Sequence, residues 1–256
     1  HAAIIGMPSR LKFIVAYDGA GFGGWQSQSH RNTIQDHLER AFERATKKSL
    51  RVHGAGRTDA GVHALAQCAH VDLAPPWRSR LTPAQWVAAL NANLPPAIRV
   101  MRCAYVPQSF HARYSAKGKV YRYRIWSARI LPPFEFQRAW HIATPLNLSS
   151  MKTAAREFVG KHDFASFAAN RGKREENTIR TIRSVCVRRK GSCVTIDFEA
   201  DGFLYKMVRL MVGAIVQCGY GKLDTDEIAR RVNSAQPGET RHAAPGAGLF
   251  LMRVRY

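Results

Sequence analysis

Twice along this chain a short apolar run is followed by an amphipathic segment and then by further apolar runs, and this recurrence restricts the folds open to it more than any other feature. In the first half, Lys12 to Tyr17 reads as a buried strand closed by the turn dipeptide Asp18-Gly19. Asn32 is placed to cap a helix, with Gln35 three residues on to answer the cap. Ile34, Leu38, Phe42 and Ala45 then fall on one face at helical spacing. Gln67 to Leu73 predicts another strand. Thr82-Pro83 with Gln85 predicts the start of a second helix carrying Trp86 and Leu90 inward, and Ile98 to Tyr105 a strand after Pro95-Pro96. In the second half, Val120 to Trp126 puts Tyr121, Tyr123 and Ile125 on one strand face and Arg122 and Arg124 on the other. A helix over Ser149 to Val159 follows, then a hairpin of Ile182 to Arg188 and Val194 to Glu199 about Lys190-Gly191. Leu204 to Gln217 reads as an apolar helix, Thr225 to Val232 as a shorter amphipathic one, and Leu249 to Tyr256 as a closing strand.

The pattern predicts an α+β chain: two RRM-like or ferredoxin-like halves sharing a mostly antiparallel sheet, with a central basic cleft. The halves are expected at 7–105 and 106–256, with the seam near residues 105 to 115, where Pro107 and Ser109 interrupt the pattern. Residues 1–6, ahead of Met7, read as a remnant or ragged start outside the fold.

Lys and Arg number 39 against 18 Asp and Glu, a formal charge of +21. A polyanion gains from counterion release on such a surface, so nucleic acid is the expected partner class. A membrane surface would need a helix that is basic on one face and apolar on the other, and none is present. No run is long and apolar enough to span a bilayer. The five cysteines never form C-x-x-C and suit reduced thiols in a cytoplasm, the expected location. His63, Cys68 and His70 match no familiar zinc spacing, so no metal site is assigned.

Gly54-Ala55-Gly56-Arg57-Thr58-Asp59-Ala60-Gly61-Val62-His63 packs three glycines into a short span, so its backbone can approach a ligand closely. Taken alone, Arg57 and Asp59 also read as a turn with a surface ion pair. No Lys-Ser/Thr pair follows, which excludes a Walker phosphate loop.

Gly56-Arg57-Thr58-Asp59-Ala60-Gly61-Val62-His63 resembles the catalytic loop of the TruA family of tRNA pseudouridine synthases. The resemblance continues through Tyr17-Asp18-Gly19, Phe22 and Gly24-Trp25-Gln26, then Asn91 to Pro95, then Phe110-His111-Ala112-Arg113 with Tyr121-Arg122-Tyr123. Gly160 to Phe167, Phe203 to Gly213, and Ala244-Pro245 to Leu249 complete the order, from about Leu11 to Tyr256. It implies isomerisation of uridine at positions 38, 39 and 40 in the anticodon arm of tRNA, after the base has left the stack, and a homodimer. By position, it implies Asp59 as the catalytic carboxylate and nucleophile, Tyr121 stacking on the target base and assisting proton transfer, Arg209 paired with Asp59, and Arg57 displacing the base. Lys206 stands where the family has a polar residue such as Asn or His, and would add a phosphate contact.

The residues fit these roles chemically. Breaking a glycosidic C–N bond and forming a C–C bond suits a carboxylate that attacks sugar or base, or stabilises cationic sugar. Arg209 lies within a long apolar run, where an unpaired charge is expensive, so a counter-charge is expected. Tyr123 reads as packing or support. Arg113, Lys117, Lys119, Arg122 and Arg124 interleave with aromatics as in a nucleic-acid groove, with a solvated strand edge as the plainer reading. Arg171, Lys173, Arg174 and Arg180 form a second basic stretch expected to reach RNA. No cofactor is expected, because the isomerisation is redox-neutral. The competing reading is a non-catalytic RNA-binding protein of two RRM-like halves, but Lys117-Gly118-Lys119-Val120-Tyr121 only loosely resembles an RNP1 strand. A metal-dependent nuclease would want clustered acids, and Asp59 has none in its loop.

Overall fold

The computed structural model describes residues 9–75, 77–170 and 177–256, without the side chains of Arg78 and Ser79. Arg171, Lys173 and Arg174 therefore lie outside the described residues, as do residues 1–6. The chain forms two compact units, one of residues 1–117 with 251–256, the other of residues 118–250.

The first unit begins with β1 (Ser9–Tyr17), α1 (Ile34–Thr46), β2 (His53–Gly54) and β3 (His63–Leu73), then α2 (Trp77–Arg80), α3 (Pro83–Asn91) and β4 (Ile98–Val106). The second holds β5 (Gly118–Trp126), β6 (Trp140–His141), α4 (Leu148–Arg156), β7 (Gly160–Asp163), β8 (Ile179–Lys190), β9 (Cys193–Ala200), α5 (Met207–Gly219) and α6 (Thr225–Ser234). The last strand, β10 (Leu249–Arg255), returns the chain to the first unit. Strand order in the first unit is β4-β1-β3-β10, with β2 on β3; in the second it is β5-β9-β8-β7, with β6 parallel to β5. The architecture is α+β, as the periodicities predict.

In the first unit every second residue of β1 is buried, Leu11, Phe13 and Val15 among them. Phe13 lies against Phe42 at 5.5 Å, and Phe42 against Trp86 at 5.7 Å. Thr82 caps α3 with Gln85 in a capping box, as the sequence predicts. The cap of α1 is Thr33 rather than Asn32, and Asp36 rather than Gln35 answers it. Asn32 instead donates to the Gly21 carbonyl.

In the second unit, β5 and β9 pair antiparallel, placing Tyr121 opposite Phe198 and Arg122 opposite Asp197. Tyr123, Ile125, Val194, Ile196 and Phe198 are buried in the core of this unit, where α4 packs on α5 and on β8. The hairpin turns at Gly191, whose φ of +58° is the left-handed conformation a tight turn requires. Among the described residues, no helix is long and apolar enough to cross a membrane.

Three histidines cluster in the first unit. His70 stacks on His53 at 5.1 Å and meets His111 edge-on at 4.7 Å. Its Nδ1 accepts the Ala112 N–H. Burial first, then the charges of Arg10, His111 and His53, push the His70 imidazole down to about 4, against a weaker pull from Asp72. The unfolded chain binds this proton near pH 6.5 and the folded chain resists it. The resulting stability is full above about pH 6.5 and is lost as pH falls towards about 4, on the order of a few kcal/mol. The melting temperature should fall across that window. His70→Asn keeps an acceptor but cannot titrate, and should make the fall shallower; an unchanged pH–melting curve would remove His70 from this role.

Candidate active site

The candidate residues divide between the units: Arg57, Asp59, Arg113 and Lys117 in the first, Lys119, Tyr121, Arg122, Arg124, Lys206 and Arg209 in the second.

In the first unit, the loop from Gly54 to His63 is held along its length by β3, by the end of β1 and by the segment that follows β1. Gly54 and Ala55 continue the pairing with β3, Ala55 donating to the Cys68 carbonyl at 2.8 Å. Gln67 donates to the Gly56 carbonyl at 2.8 Å, and the Trp25 N–H to the Thr58 carbonyl at 3.0 Å. Tyr17 and Thr58 share a buried hydroxyl–hydroxyl bond of 2.8 Å. Burial drives the Tyr17 phenol upward, so it remains neutral and able to donate. At Gly24, whose φ is +88°, a Cβ would lie 2.6 Å from the Thr58 oxygen and 3.0 Å from the Asp59 carbonyl carbon. Only a glycine lets the two backbones approach this closely.

Beyond the carboxylate the chain turns back, the Val62 N–H donating to the Asp59 carbonyl at 3.2 Å. His63 is buried, and its Nδ1 lies 3.1 Å from both the Gly19 N–H and Asp18 Oδ1. These bonds leave Asp59 half-buried at the tip and Arg57 exposed. Tyr17, Gly24 and Thr58 support the site without appearing in its chemistry, and sequence reasoning did not assign them that role. Tyr17→Phe removes the bond to Thr58. It should cost about 1–2 kcal/mol and lower turnover about tenfold, because small displacements of a reacting group are heavily penalised. Wild-type turnover would show that the loop keeps its shape without this bond.

In the second unit, Tyr121 is buried on β5, its ring in a T-shaped contact with Phe203 at 5.2 Å and 89°. Tyr123 is fully buried and donates to the Pro245 carbonyl at 2.8 Å, a packing residue. Arg209 lies in the first turn of α5 between buried Val208 and Leu210. Its Nε donates to the Ala244 carbonyl at 2.7 Å, and its own carbonyl accepts the Ala244 N–H at 2.9 Å. The helix dipole disfavours a cation at that end, and no acidic residue shares the turn. The position therefore suits an anion supplied from outside the helix. Lys206 precedes α5 in the left-handed conformation, φ 56°, with Nζ over the Tyr205 ring at 5.3 Å.

The basic residues are not equivalent. Arg122 makes a two-pronged bond to Asp197 at 2.7 and 2.8 Å, and Arg188 reaches the same carboxylate at 3.0 Å. Arg124 pairs with Glu135 at 2.7 Å. Arg113 is exposed, its guanidinium 5.8 Å from the Tyr114 ring centre. Lys117 is exposed and Lys119 half-buried. Arg180 bonds the carbonyls of Asn177 and Ile179.

A family model described as tRNA pseudouridine synthase matches residues 13–115 and 154–256. The chain is 46% identical over 254 residues to tRNA pseudouridine synthase A of Akkermansia muciniphila, covering 97% of this chain and 95% of that protein. It is 42% identical over 256 residues to the protein of the same name from Methylacidiphilum infernorum, covering 100% and 97%. It is 38% identical over 246 residues to that of Acetivibrio thermocellus, covering 96% and 99%. A crystal structure of a Cbf5–Nop10–Gar1 complex aligns with 94% of this chain and 49% of its own at 14% identity and a TM-score of 0.36, a likeness too low to inform the fold.

Proposed function

The chain belongs to the tRNA pseudouridine synthase family, and from that premise we propose that it isomerises uridine to pseudouridine at positions 38, 39 and 40 of the anticodon arm, with Asp59 as the reacting carboxylate. The observation that carries this reading is the clamped loop, which presents one half-buried carboxylate on a backbone held from both sides.

The target atoms are shielded in stacked RNA, so the uridine must leave the stack, with Arg57 filling its place. Asp59 adds to the sugar or the base as the glycosidic C–N bond breaks. The uracil turns, and as the C5–C1′ bond forms the bond to Asp59 breaks and frees its carboxylate; the C5 proton is then lost and N1 takes one up, so substrate and product are isomers and no electron donor or acceptor is required. Tyr121, its ring fixed by Phe203, stacks on the uracil and offers its hydroxyl for proton transfer. Arg209 pairs with Asp59. Its support is a guanidinium anchored on Ala244 at the positive end of a helix that lacks its own acid in the first turn.

Arg113, Lys117, Lys119 and Lys206 contact RNA phosphates. Arg122 and Arg124, each occupied by a carboxylate, add to the basic field without reaching a phosphate. We also propose that the protein works as a homodimer. Ile130, Phe134 and Phe136 stand exposed on the loop between β5 and β6, where a second copy would cover them. All five cysteines are free thiols, consistent with a reducing cytoplasm. Incubation with unmodified tRNA transcript, followed by chemical mapping, should reveal pseudouridine at those three positions; transcripts left unmodified under saturating enzyme would refute the reading.

A further inference from the structure

The second unit contains a cavity of about 200 Å³ to which none of the residues assigned above contributes. Its polar lining is Gln217 from α5, Lys222 from the turn after it, Arg231 from α6, and Thr240 and His242 from the segment leading to β10. Lys222 brings a compact charge and Arg231 a planar one, and no carboxylate shares the lining. Two acids neighbour this set, Glu227, which accepts from Arg231 Nε at 2.9 Å, and Glu239, which is occupied by Arg230 and Ser234. The bond to Glu227 uses one edge of the Arg231 guanidinium.

Thr240 is 7% exposed, and its hydroxyl has no hydrogen-bond partner among the described residues. Its backbone N–H is satisfied by the Ser166 carbonyl, so the side chain alone is left over. A buried hydroxyl without a partner costs about 1–3 kcal/mol, and native proteins rarely carry one without a ligand, ion or water to meet it. Hydroxyl, ammonium, guanidinium, amide and imidazole can all donate here. A ligand complementary to that set is compact, rich in acceptors and negatively charged.

We propose that this cavity binds a phosphate group, held by the charges of Lys222 and Arg231 and by a hydrogen bond from the Thr240 hydroxyl. Two sources share that chemistry: a backbone phosphate of bound RNA, and a free phosphate or phosphorylated small molecule. Gln217 lies eight residues beyond Arg209 on the same helix, about 12 Å along its axis at 1.5 Å per residue, so the cavity is within reach of an RNA chain whose base is held near Arg209. The RNA source rests on the proposed function; the anion chemistry of the cavity does not.

Thr240→Val is the decisive variant, because it removes the hydroxyl without changing charge or shape. Replacing an unpartnered hydroxyl by a methyl group is neutral or stabilising, so this protein should melt no lower than wild type in the absence of phosphate. Its melting would be compared with that of wild type and Lys222→Gln in inorganic phosphate and in chloride at equal ionic strength, and tRNA affinity measured across a salt series. A rise in wild-type melting temperature with phosphate that both variants lose assigns a free phosphate ligand. An RNA phosphate is assigned if phosphate has no effect, Thr240→Val binds tRNA about 3–10-fold more weakly, and Lys222→Gln has a log-affinity against log-salt slope less negative by about 0.7–0.9. Unchanged phosphate response and unchanged tRNA affinity in Thr240→Val overturn the proposal. So does a lower melting temperature without ligand, which would mean the hydroxyl already has a structural partner. If mapping shows no pseudouridine, the inorganic phosphate measurement still decides the cavity.

Discussion

Asp59→Asn should abolish pseudouridine formation, by about 10⁴-fold or more, while tRNA affinity stays within about threefold. The substitution preserves size and shape and removes the negative charge together with its capacity to form a covalent bond. Several bonds that shape the loop do not use that carboxylate. They run through the Thr58 carbonyl and hydroxyl, the Gly56 carbonyl, the Ala55 N–H and the Asp59 carbonyl, all of which the variant retains. Half-buried at the loop tip, the residue should also tolerate the change with little loss of stability, within about 1 kcal/mol. Single-turnover assays with transcript, filter binding and thermal melting separate the outcomes. Retained turnover would remove Asp59 from the chemistry. A variant that no longer binds tRNA would make the carboxylate a binding element rather than the reacting group.

The parts of this molecule that could be read in advance are those governed by local rules. Apolar runs and alternation found β1, β3, β4, β5, β8, β9 and β10 within a few residues; β1 and β9 alternate buried with half-buried positions, whereas β3 is buried at most positions. The capping box at Thr82 was legible because all its participants lie within four residues. β2 and β6, of two residues each, and β7, of four, are too short for any periodicity to register. The apolar helix was expected from Leu204 but begins at Met207, because Lys206 adopts a left-handed conformation that an apolar run does not announce.

The site divides in the same way. Glycine density and the family resemblance mark the Asp59 loop. What holds it, Tyr17 on Thr58 and Gly24 under the Thr58 and Asp59 backbone, spans 34 residues or more and depends on tertiary contact. Strand alternation correctly put Arg122 and Arg124 on one face of β5. Their carboxylate partners were hidden because the β5–β9 register, which brings Asp197 opposite Arg122, is not encoded in either strand alone.

Gly213→Ala tests whether the segment carrying Ala244 is a positioning device for Arg209. In an ordinary helix this substitution stabilises by about 1 kcal/mol, since alanine has the higher helix propensity. Here the sign should reverse. A Cβ at position 213 would stand 1.8 Å from the His242 carbonyl oxygen and 3.0 Å from its carbon, and both are backbone atoms with no rotamer to escape into. The helix is enclosed by the core, so the 242–244 segment must retreat, by about 1.5 Å if ordinary contact is to be restored. That movement opens the reciprocal pair in which Ala244 donates to the Arg209 carbonyl and accepts from Arg209 Nε. Losing two hydrogen bonds and the packing around them should cost about 3 kcal/mol, lowering the melting temperature by roughly 6–12 °C. Turnover should fall about 100-fold even well below the melting transition, because the guanidinium loses its anchor while the fold persists. Gly219→Ala, on the same helix, provides the contrast: its new methyl would meet Met151 Cγ at 2.9 Å and Leu146 Cδ2 at 3.3 Å, side-chain atoms remote from the 242–244 segment, so stability can be lost but turnover below the melting transition should change little. If Gly213→Ala melts higher than wild type, or melts lower with turnover intact at assay temperature, the Ala244 contact does not position Arg209.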